Sequence, residues 1–77
     1  LICVYEQSSG SGGVYFANYN GTTSILASSG AYSFGTSAST NNINVYKSSN
    51  SHTVTLQNYI GSTRNFAISV FGANVLD

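Results

Sequence analysis

The sequence predicts an all-β fold, a small sandwich or barrel of short strands. Two observations carry this expectation. Short segments rich in Val, Ile, Thr, Tyr and Phe recur along the chain, each bounded by Gly, Ser or Asn. No stretch spaces its apolar residues as a helix requires, and the helix formers Lys, Glu, Met and Gln are scarce.

The first segment, Ile2–Glu6, alternates so that Ile2 and Val4 face inward while Cys3 and Tyr5 face the other way. Gln7 and the Ser and Gly that follow it then read as a hairpin turn, since Gly supplies positive φ at no steric cost. The glycines of residues 10–13 follow a strand, as a phosphate-cradling loop would. They lack GxGxxG spacing, however, and no helix, Lys or acidic partner lies at the required distance downstream. Residues 14–17 form the returning strand, and residues 24–27, 31–34 and 43–46 continue the series, with Ile43 and Val45 as an inward pair. In residues 53–57, Val54 and Leu56 lie opposite Thr53 and Thr55. In residues 66–71, Phe66, Ile68 and Val70 lie opposite Ala67, Ser69 and Phe71. Residues 65–76 carry no charge, so this last segment is expected to be buried or paired on both sides. Exposed, it would be a β-aggregation hazard.

Seventy-seven residues make a single domain, 1–77, whose core supplies only about 3–5 kcal/mol. Small scaffolds of this kind gain further stability from disulfides, metals or assembly. The lone Cys3 excludes a disulfide within the chain, which leaves the other two.

Charge is the most unusual feature. Glu6, Lys47, Arg64 and Asp77 are the only formally charged side chains, where an ordinary domain devotes about a quarter of its residues to them. Two cations cannot form the basic surface that nucleic acid requires, nor a polybasic membrane patch. No apolar run is long enough to span a bilayer. A surface of Ser, Thr, Asn, Gly and Tyr suits an exported protein that touches a glycan coat, a ligand or copies of itself. The chain begins at Leu1, and its first residues do not form a complete signal peptide. The expectation is a secreted, extracellular protein whose export signal has been removed.

Few residues are candidates for chemistry. His52 and Glu6 are the groups suited to acid–base work near neutral pH, and Asp77 sits at the fraying chain end. No nucleophile is singled out among the many serines, so no catalytic residue and no enzymatic activity are expected. Cys3 is a candidate for an intermolecular disulfide or a metal ligand, although a lone Cys is more often a small buried apolar residue. Asn20-Gly21-Thr22 is a glycosylation acceptor, and its Asn-Gly pair is also a turn signal. Six tyrosines outnumber four phenylalanines, and Tyr15 and Tyr19 are the expected surface positions for contacts with sugars or partners.

The order of these pieces resembles the βγ-crystallin Greek key, in particular its bacterial secreted branch with the small proteinase-inhibitor-like members. Cys3-Val4-Tyr5-Glu6 takes the place of the first strand and Ser11-Gly12-Gly13 that of the hairpin. Gly30-Ala31-Tyr32-Ser33-Phe34 takes the tyrosine turn, and Asn41-Asn42-Ile43-Asn44-Val45 the loop and strand that follow. A second unit restarts at Thr53-Val54-Thr55-Leu56-Gln57, with Gly61 in its hairpin. The resemblance implies a small Greek-key β-sandwich with one unit at about residues 1–47 and a truncated second at about 52–77. It also points to Glu6, Asn41 and Asn42 as candidate calcium ligands. The motif is degenerate: Gly10 stands near the place of the first hairpin's aromatic, and no hydroxyl ligands follow Asn41-Asn42. With Glu6 and Asp77 the only side-chain carboxylates, no tight calcium site and no other cofactor are expected.

A sheet that lacks strands leaves an unpaired edge, and here almost no charge and no proline are present to blunt it. A strand from a neighbouring copy would complete such a sheet, and head-to-tail donation would build filaments. The leading expectation is therefore a non-enzymatic, exported structural module that self-assembles through β-strand edges into an extracellular filament or coat, with a glycan at Asn20. The alternative is a secreted binding module, a proteinase inhibitor or antimicrobial factor acting through residues 8–13 or 48–51. A calcium-stabilised crystallin-like domain is the third reading.

Overall fold

The computed structural model describes residues 1–17, 23–47 and 53–72. Strand accounts for 58% of them and no residue among them is helical. The strands are β1 (Ile2–Glu6), β2 (Ser11–Ala17), β3 (Thr23–Ser29), β4 (Ser33–Gly35), β5 (Asn42–Tyr46), β6 (Thr55–Asn58) and β7 (Phe66–Val70). They form a four-stranded sheet in the order β3-β2-β1-β7 and a three-stranded sheet in the order β4-β5-β6. The sheets do not close into a barrel.

The larger sheet is antiparallel throughout, with Val4 opposite Gly13 on one side and Ile68 on the other. Three consecutive strands flanked by a fourth that returns beside the first is the Greek-key order. Strand β7 therefore completes a sheet built by the first part of the chain, while β6 joins β4 and β5. Strands β4 and β5 pair in parallel, an arrangement that alternation along a single strand does not report. A bulge between Val14 and Tyr15 interrupts the β2–β3 register.

The core lies between the sheets. Val4 and Tyr15 from the larger sheet meet Ile43 and Val45 from the smaller, with Ile2, Phe34, Leu56 and Phe66 packed against them. Each fully buried Val or Ile is worth about 1.5–3 kcal/mol of removed apolar surface. Close approach depends on Gly13, because a Cβ there would fall 2.7 Å from the Phe34 ring. Hydroxyl groups tie the layers: Tyr15 Oη donates to the Gly35 carbonyl at 2.8 Å, and Thr23 Oγ1 donates to that of Val45. These bonds satisfy polar atoms that would be costly to bury alone.

Three expectations change. Tyr15 is fully buried rather than at the surface, since its register opposite Ile2 turns it inward and its hydroxyl finds a carbonyl there. Ser11, Gly12 and Gly13 belong to strand β2, and the hairpin turn proper spans Gln7 to Gly10. Finally, β7 pairs with β1 alone among the described residues and lies largely exposed, although its lack of charge suggested cover on both sides.

Candidate functional site

Two regions concentrate the unusual features, a polar corner at the β1–β2 turn and the uncharged surface around β7.

The corner is built on Glu6. As an inward residue at the end of β1 it is fully buried, yet it does not lack partners. The N–H groups of Ser8 and Ser9 each donate to its carboxylate at 2.9 Å, and the Ser8 hydroxyl donates to it as well. The turn closes where Gly10 N–H donates to the Glu6 carbonyl at 3.0 Å, with Gly10 at φ 74°. Hydrogen bonding from Ser9, opposed by burial and aided by Ser8, holds the carboxyl at about 2, below its ordinary 4.5. A carboxylate held so low is a poor general base at neutral pH.

Other loops converge on the same corner. Ser9 Oγ donates to Ser11 Oγ at 2.8 Å, and that buried oxygen also accepts from Tyr32 N–H. Gly30, at φ 108°, lies so close that a Cβ would sit 2.5 Å from Ser11 Cα. From the β6–β7 connection, Arg64 donates to Ser8 Oγ at 3.0 Å, to Ser62 Oγ at 3.1 Å and to Tyr32 Oη. Its guanidinium carbon lies 4.9 Å from the Tyr32 ring centroid, within cation–π range. Glu6 and Arg64 are thus joined through Ser8, and three connections are locked together.

The outer face of the larger sheet is different in kind. Register places Ser69, Cys3, Val14 and Ala27 in one row, and Ala67, Tyr5, Gly12 and Ser29 in the next. Their small side chains leave a shallow trough of about 370 Å³ beside Tyr5, with Cys3 on its floor. Leu1, Tyr5, Phe16 and Phe71 are exposed around it. Towards β7 the inner face opens too: Ile68 is 52% exposed and Val70 72%. Glu6 and Lys47 are buried and Arg64 is partly so, which leaves the described surface nearly free of side-chain charge.

The remaining candidates fall elsewhere. Asn41 takes a left-handed φ of 64° before β5, its N–H donates to the Tyr59 carbonyl, and the Asn42 carbonyl accepts from Tyr59 N–H. Among the described residues, no three of His, Cys, Asp and Glu gather as metal ligands would. Asn20, Tyr19, His52 and Asp77, and the loop at residues 48–51, lie outside the described residues. Asn44 was not singled out by sequence, yet it is fully buried, with Nδ2 donating to the Ser39 carbonyl and to Gln57 Oε1. Its Oδ1 has no partner among the described residues and lies over Gly35, where any Cβ would collide with it. A buried Asn in a strand has no pattern that separates it from an exposed one. No family model, curated protein or solved structure matches the chain.

Proposed function

We propose that this protein is a non-enzymatic, exported structural module that self-assembles through its β-strand edges. One observation carries the reading. Among the described residues, strand β7 is an apolar, uncharged edge strand whose Ile68 and Val70 are largely exposed, and natural monomers blunt such edges with charge, proline or a covering element. A second copy that pairs with this edge supplies both the missing hydrogen bonds and the buried apolar surface that a small core lacks. A near-neutral surface removes the repulsion that keeps copies apart. An extracellular filament or coat, with a glycan at Asn20, is the setting in which that behaviour is useful. Light scattering coupled to size exclusion, run across micromolar concentrations, tests the reading: masses above that of the single chain are expected, and a monomer throughout refutes it.

A secreted binding module is the second reading, favoured by the trough beside Tyr5. A rigid aromatic flanking a floor of small side chains suits the face of a flat ligand such as a sugar ring. Retention on immobilised glycans that Tyr5→Ala abolishes would support it.

A further inference from the structure

The edge of β7 has a defined hydrogen-bonding pattern, and this pattern selects its partner. Leu1 N–H donates to the Phe71 carbonyl and Phe71 N–H donates back to that of Leu1, each at 2.8 Å. In an antiparallel ladder such bonded pairs alternate with unbonded ones. The opposed pairs Cys3–Ser69 and Tyr5–Ala67 therefore also exchange bonds with β1, whereas Phe66, Ile68 and Val70 turn their N–H and C=O groups outward. Gln7 N–H donating to the Asn65 carbonyl fits the same alternation.

We infer that β7 pairs with β7 of a second copy, antiparallel about a two-fold axis through Ile68, to give a closed dimer; this rests on the edge-assembly reading above. With Ile68 opposite Ile68 of the second copy and Phe66 opposite its Val70, every outward group meets an outward group. The two strands then exchange about six backbone hydrogen bonds. The same register places apolar side chains across from one another on the open inner face, where Ile68 and Val70 now meet solvent. Charge agrees with it. Arg64 falls opposite Gly72 of the second copy, so no like charges meet; sliding the strands by two residues sets Arg64 against Val70 instead.

The other edges fit less well. Strand β3 carries the bulge and ends in Ser28 and Ser29, β4 has 3 residues, and β6 has 4 with polar Gln57 and Asn58. Bulges and short strands are the means by which edges resist pairing. The flat, unguarded edge among the described strands is β7, and its best match is itself. An isologous contact closes at two copies, so a filament or coat would be built from such dimers through a further contact, whereas β7 on another edge would propagate by itself.

Thiol cross-linking reads the register directly. In a Cys3→Ala background, mild oxidation should join the two Ile68→Cys thiols in a disulfide. Bonded pairs hold their Cα atoms about 5.5 Å apart, within disulfide reach, while diagonal neighbours lie about 7–8 Å apart. Ser69→Cys faces Ala67 of the second copy and serves as the control. Covalent dimer from Ile68→Cys and little from Ser69→Cys is expected, alongside a light-scattering mass of twice the chain. Ile68→Pro removes an N–H that β1 does not use, so it should keep the circular dichroism spectrum and weaken association by about tenfold or more. Equal cross-linking of both cysteines, or a ladder of higher masses, overturns the dimer and leaves edge assembly standing. A monomer at all concentrations overturns both.

Discussion

The corner around Glu6 and the strand β7 are separated by one sheet pairing, Glu6 opposite Phe66, yet they are finished in opposite ways. At the corner a buried charge is supplied with donors from two serines, and an arginine from a distant loop closes the group. Along β7 the apolar side chains that should be covered are exposed, and the outward backbone groups have no described partner. The corner is satisfied within one copy, whereas the apolar side chains of β7 lie uncovered among the described residues. On the proposed reading, stability and association belong to different strands, and substitutions should separate them.

The largest separation comes from one residue type in two places. Ile43 is fully buried between the sheets, and Ile43→Ala should cost about 3–4 kcal/mol, a large share of what a domain this small possesses. Ile68 is on the open edge, and Ile68→Ala should change the stability of dilute protein by about 0.5 kcal/mol or less. Urea unfolding of the pair measures both. Equal costs would mean that β7 is covered in the monomer, and the contrast between closed and open regions would fail.

The corner offers a second, smaller separation. Gly30→Ala combines left-handed backbone with a collision against Ser11, for about 2–3 kcal/mol. Gly61 has a similar φ of 101° but nothing within 4 Å of a Cβ, so Gly61→Ala should cost about 1 kcal/mol from backbone strain alone. The difference between the two melting temperatures isolates how tightly the corner is packed. A Gly30→Ala variant no worse than Gly61→Ala would show that the β3–β4 turn can move away from Ser11.

Much of this architecture was legible in the sequence, for reasons that also explain the errors. Alternation in Ile2–Glu6 correctly turned Val4 inward, and Ile43 with Val45 stood out as core because β5 is a central strand. Alternation says which residues share a face, not which face meets the other sheet. Val14, Tyr15 and Phe16 could be read either way, and the phenol tip suggested the wrong one; only the register opposite Ile2 decides it. Glu6 was visible as a rare charge, but its role depends on Ser8, Ser9 and Arg64, and Arg64 is far away in the chain. In β7, missing charge suggests cover on both sides, although composition cannot distinguish a covered strand from an exposed one.

The mildest test of the corner leaves the protein untouched at neutral pH and appears only in acid. Glu6 titrates at about 2 in the folded chain, below its ordinary 4.5, since hydrogen bonds from Ser9 and Ser8 favour the charged form over the push of burial. A carboxyl lowered in this way contributes stability in full above its ordinary value. That contribution drains away as pH falls from about 4.5 towards about 2, where the folded form takes up the proton as well. The urea midpoint should therefore be level above pH 5 and fall progressively below it. The comparison that matters is with Glu6→Gln, which removes the Glu6 charge and leaves every other group in place. Glu6→Gln should be less stable at neutral pH and flatter through the acid window, the two curves converging near pH 2. Parallel curves would place the acid sensitivity elsewhere, and the corner would then owe its rigidity to Arg64 and the close approach of Gly30 to Ser11 rather than to a buried charge.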